Sequence, residues 1–71
     1  MRELIEDIAG ATNSLGERVS ELIYDALRRE IAGGDGAGGA KELERQLAKV
    51  RRSLAKAEQI LRELAAEGQR N

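Results

Sequence analysis

The chain has 71 residues, 12 basic against 13 acidic side chains, and no cysteine, histidine, proline, tryptophan or phenylalanine. Without Cys or His there is no disulfide, no thiolate nucleophile, no Ser–His pair and no zinc site of the usual kind, so carboxylates alone remain as metal ligands. A chain this short buries little more than about 60% of its unfolded surface, and with one Tyr and one Met it has few bulky side chains to bury, so association with another chain is the expected source of stability.

The first segment reads as helix over about 3–32. Ile5, Ile8, Thr12, Leu15, Val19, Leu22 and Ala26 keep a three–four spacing, which places one stripe along a helix. Against continuity stands Gly10-Ala11-Thr12-Asn13-Ser14-Leu15-Gly16, a run of poor helix formers. Ser14 and Glu17 have the spacing of a capping box, which would start a new helix there. The stripe keeps its phase across the run, which favours one continuous or gently kinked helix. Beyond it the apolar face broadens to Val19, Leu22, Ile23, Ala26, Leu27 and Ile31, wide enough to cover two neighbours, as in a bundle.

Glu17, Glu21 and Asp25 form a row of carboxylates one helical turn apart. Di-metal bundles use inward-facing Glu-x-x-His motifs, and this chain has no His, so the row reads as a solvated face or a match for Arg and Lys. Tyr24 reads as a rim or core residue.

Gly33-Gly34-Asp35-Gly36-Ala37-Gly38-Gly39 is the connector, because each glycine costs about 1 kcal/mol in a helix relative to Ala. A phosphate-binding loop needs a preceding strand and a following Lys-Ser/Thr pair. Here Lys41 precedes Glu42 and no strand is predicted, so the stretch reads as a linker.

The second helix is predicted over about 40–67, about 42 Å long. Its heptads place Leu47, Leu54 and Leu61 at a positions and Leu43, Val50, Ala57 and Leu64 at d positions, a seam that needs a partner helix. Ile60 widens the stripe on one flank; Ala48, Ala55 and Ala65 make the other flank small. Arg45, Lys49, Arg52 and Lys56 form a basic row pointing away from that seam. Nucleic-acid binding by this row is disfavoured by the acidic overall balance and by the lack of interleaved aromatics for stacking.

Charge is split along the chain. Residues 1–39 hold four basic side chains against eight acids, and residues 40–71 hold eight basic against five acids. Such halves attract, which sets orientation more than stability, since exposed pairs are each worth under about 1 kcal/mol.

The fold expected is all-α: a single helical domain, an antiparallel helical hairpin associating into a four-helix bundle or coiled coil. The interface is expected at Leu15, Val19, Leu22, Ile23, Leu27, Leu43, Leu47, Val50, Leu54, Leu61 and Leu64, with the charged rows setting order. The function expected is non-enzymatic self-association, with no cofactor, metal or small-molecule ligand and a second copy or another helical protein as partner. Two other readings stay open. One is a docking or adaptor element joining subunits of a larger multi-enzyme assembly, as two docking helices fused through the glycine linker. The other is a small antitoxin-like or nucleic-acid-associated regulator. No apolar run approaches the roughly 18 residues of a membrane span, and the opening Met-Arg-Glu-Leu lacks the apolar core of a signal peptide, so a soluble, cytoplasmic protein is expected.

Overall fold

The computed structural model describes residues 1–33 and 37–70. Two helices make it up, α1 over Arg2–Gly33 and α2 over Ala37–Arg70. Residues 34–36, the centre of the glycine-rich connector, lie outside the described residues. At 1.5 Å per residue, helices of 32 and 34 residues are each about 50 Å long. This accounts for the 57 Å long axis of a body only 14 × 11 Å across. The helices are antiparallel: Asn13 bonds to Glu58 and Ser20 to Arg51, pairs whose numbers both add to 71. Among the described residues, no helix is long and apolar enough to cross a membrane.

Helix α1 is continuous through residues 10–16, so the capping-box alternative at Ser14 is not realised. Two contacts show how the poor helix formers are accommodated. The Thr12 hydroxyl donates to the Ile8 carbonyl one turn back, at 2.8 Å, which satisfies within the helix a group that otherwise competes with it. The Asn13 amide donates across to the Glu58 carboxylate at 3.0 Å. Tertiary packing thus overrides weak local propensity, as is usual for a helix held by one face.

The helix ends differ slightly from the sequence reading. Helix α1 takes in Gly33, and α2 begins at Ala37 and continues past Gly68 to Arg70. Helix α2 is thus three residues longer at each end than expected; boundaries drift most in terminal turns, and a long nucleated helix extends into a poor former more readily than a new one starts there. At the other end, the Met1 carbonyl accepts the first helical bond from the Ile5 amide at 3.1 Å.

The seam between the helices is built from small side chains. Ala9, Gly16, Ala26 and Ala65 are the residues buried among those described, and no large side chain is fully buried. Half-buried around them are Ile5, Thr12, Val19 and Ile23 on α1, with Leu47, Ala48, Leu54, Glu58 and Leu61 on α2. The register sets small against large: Gly16 lies within one residue of level with Leu54, Ala9 with Leu61, and Ala65 with Ile5, following the pairing fixed by Asn13 and Glu58. The Arg51 guanidinium lies over Gly16, where an added Cβ would meet its Nη1 at 3.2 Å.

Gly10 and Gly16 therefore differ in what a methyl group does. A Cβ on Gly10 meets nothing within 4 Å. Gly10→Ala should stabilise the fold by about 1 kcal/mol through helix propensity alone, which corresponds to a rise of about 4–8 °C in the thermal midpoint for a chain of this size. Gly16→Ala should gain less, because the Arg51 guanidinium has to give way. Thermal unfolding followed by circular dichroism ranks the two, and an equal gain at both sites would show that Gly16 has no packing role.

Candidate interaction surface

Successive residues on an α-helix are turned by about 100°, so the buried positions define a direction and every other side chain has an angle to it. On α1 the seam follows Ile5, Ala9, Thr12, Gly16, Val19, Ile23 and Ala26, and on α2 it follows Leu47, Leu54, Glu58, Leu61 and Ala65. The apolar stripe of the sequence does not coincide with it. On α1 the stripe includes Ile8, Leu15 and Leu22, and on α2 Leu43, Val50 and Leu64, and all six are exposed. The centre of each stripe points about 45° to one side of the neighbouring helix.

In an antiparallel pair, the same sense of rotation on both helices turns both stripes to the same face. Two shallow grooves mark the sides. One is lined by Leu22, Asp25, Ala26 and Arg29 of α1 together with Leu43 and Leu47 of α2, so Leu22 and Leu43 share a face. The groove on the other side holds Leu27 with Lys41, Glu44, Arg45 and Ala48.

The residues expected at an interface therefore separate into groups. Val19, Ile23, Leu47, Leu54 and Leu61 are half-buried and turn into the hairpin. Leu15, Leu22, Leu43, Val50 and Leu64 turn outward on the shared face, and Leu27 lies on the opposite side. Leu4, Ile8 and Ile60 extend that face toward the open end of the hairpin. None of these three is among the expected interface residues, although Ile8 belongs to the stripe of α1, Ile60 widens that of α2, and the spacing of Leu4 to Ile8 and Ala11 is a legible signal. Together the eight outward residues keep between 45% and 63% of their surface in water. Single exposed leucines are ordinary, whereas eight large apolar residues on one face of so small a chain make an apolar surface out of the common run.

The charged rows border this face: Asp25 lines a groove with Leu22 and Leu43, and Arg52 and Lys56 line another with Ile60. Glu17, Glu21, Arg45, Lys49, Arg52 and Lys56 are exposed. Asp25 forms ion pairs within its own helix, with Arg29 at 3.1 Å and Arg28 at 3.9 Å. Arg45 pairs with Glu42 at 3.2 Å. Among the described residues, no group of three or more acids is arranged to hold a metal ion.

Contacts between the helices on the polar side come from other residues. The Arg51 Nε donates to the Ser20 hydroxyl. Glu58 accepts from the Asn13 amide at 3.0 Å on one oxygen and from the Arg62 Nε at 2.8 Å on the other. These bonds, first from Asn13 and then from Arg62, hold the Glu58 carboxyl below the ordinary glutamate range, because both favour the charged form.

A carboxyl depressed in the folded state contributes stability at pH above its unfolded value, and that contribution is lost as pH falls through the folded value. Acidification from about pH 5 to about pH 3 should therefore cost the native chain more than Glu58→Gln. Asn13→Ala should move the Glu58 midpoint upward, read from its carboxyl carbon shift by NMR. An unchanged midpoint would remove Asn13 as the main cause.

Comparison with protein-family models, with curated proteins and with solved structures finds no match to this chain.

Proposed function

We propose that the chain is a non-enzymatic self-association module, whose work is done by the apolar face, and that two hairpins form a four-helix bundle. The observation that carries this reading is the angle of the stripes. In a square bundle the centre lies at about 45° from the direction of each neighbouring helix, and core-facing stripes point there. Both stripes of this hairpin have that offset, with the same sense.

Surface area supports the same reading. The chain exposes 5522 Å², whereas a compact monomer of 7.7 kDa is expected to expose roughly 4,300 Å². A face of 57 by 14 Å has a footprint of roughly 800 Å², the share one partner contributes to an interface of standard size. The absence of Cys and His fits a role in association rather than chemistry.

Light scattering behind a sizing column tests this directly, with twice the chain mass expected. Leu15→Glu should raise the dissociation constant about 100-fold or more, since each buried Leu is worth about 1.5–3 kcal/mol and a dimer loses two. Tyr24→Gln, away from the face and 71% exposed, should leave the mass unchanged. A monomeric mass at high concentration overturns the reading and favours a docking element, in which a different helical protein covers the same face.

A further inference from the structure

We infer that the second copy docks with its connector at the same end as the first, so that each α1 lies on the partner's α2. This rests on the self-association reading above and specifies the partner's orientation. Two arrangements place the apolar faces together with two-fold symmetry. With the axis along the helices, α1 covers the partner's α2 and both connectors share one end. With the axis across the helices, α1 covers the partner's α1 and the connectors lie at opposite ends.

The shape of the face distinguishes them. At the open end of the hairpin the face is widest, through Leu4 and Ile8 on α1 and Ile60 and Leu64 on α2, which the register places level with one another. At the connector end the face is closed off by the Asp25–Arg29 pair beside Leu22 and Leu43. When the connectors share an end, wide end meets wide end: Leu4 and Ile8 reach the partner's Ile60 and Leu64, and Leu22 reaches the partner's Val50. When full-length overlap puts the connectors at opposite ends, Arg18 falls opposite the partner's Arg18, and Ile60 falls opposite the partner's Gln46.

Charge agrees with shape. The outward row beside the face reads Asp7, Ser14, Glu21 and Arg28 on α1, and Glu42, Lys49, Lys56 and Glu63 on α2, one residue every two turns. With connectors together, Glu21 lies beside the partner's Lys49 and Arg28 beside the partner's Glu42, while Asp7 beside the partner's Glu63 is the one like-charge pair. With connectors apart, α2 lies on α2, which sets Lys49 beside the partner's Lys56 and Glu42 beside the partner's Glu63; Asp7 beside the partner's Arg28 is the favourable pair. Opposed like charges act mainly against the wrong arrangement, so they fix orientation even where attractive pairs add little affinity.

The test uses the full chain with Lys41→Cys. The sequence has no other cysteine, and Lys41 is exposed, close to the connector and on the face opposite the apolar one. A nitroxide attached there reports the separation of the two connector ends by pulsed electron paramagnetic resonance. With connectors together the labels should lie within about 30 Å; with connectors apart the helix rise alone separates them by about 36 Å, to which the width of the bundle adds. The short distance is the expected result. A dimeric mass with the long distance, or with both distances, overturns the orientation while leaving self-association intact. A monomeric mass with no dipolar coupling overturns both. A second pair of variants checks contact: Arg18→Cys mixed with Ser53→Cys should give the mixed disulfide under mild oxidation, whereas disulfides formed by each variant with itself would show the opposite-end arrangement.

Discussion

An α-helix presents its apolar residues in one direction, and everything in this chain depends on that direction not being the direction of the neighbouring helix. Each stripe is turned about 45° from the seam. One of its edges, through Val19 on α1 and Leu54 on α2, contributes to the hairpin; the other, through Leu15 and Val50, is left in water. Had the stripes pointed straight at each other, the hairpin would have buried its leucines and displayed only charge. Turned as they are, the leucines divide between the seam and the exposed face, and the space left at the seam is filled by Ala9, Gly16, Ala26 and Ala65.

The small seam follows from this geometry. Where the centre of a stripe faces elsewhere, the residues that face the neighbour belong to its flank and to the row beyond. On α1 that row is Ala9, Gly16 and Ile23; on α2 it includes Arg51, Glu58 and Ala65. Alanine and glycine let the backbones approach. The long polar side chains of Arg51 and Glu58 reach across from this row, with their heads bonded to Ser20 and Asn13. These bonds set the register: a helix free to slide on a row of small side chains is held by two polar contacts, seven residues apart on each helix.

Much of this was legible in the residues. Helix number and the approximate place of the connector follow from a sustained three–four spacing interrupted by glycines, although α2 reaches three residues beyond the expected helix at each end and takes in Gly38 and Gly39. Continuity across Gly10–Gly16 follows from the unbroken phase of the stripe. The rotation of the stripe relative to the neighbour was not legible. Heptad spacing tells which residues share a helix face, and placing Leu43, Val50 and Leu64 in the seam assumed that the face and the neighbour coincide. Rotation is settled by how two whole helices pack, which depends on Gly16 accepting Arg51 above it and on Asn13 reaching Glu58. No local pattern encodes a hydrogen bond between residues 45 positions apart.

The small-residue seam also has a consequence for abundance. A hairpin whose buried residues are alanines and a glycine draws little apolar burial from its own chain, so in the proposed assembly most of that burial comes from a second molecule. Its stability is then a function of how much of it is present: each tenfold dilution removes about 1.4 kcal/mol from the assembled state. Chains above the threshold would persist as bundles, and chains below it would open and meet proteases. The dose of the protein would set both its assembly and its lifetime, with no separate regulatory site.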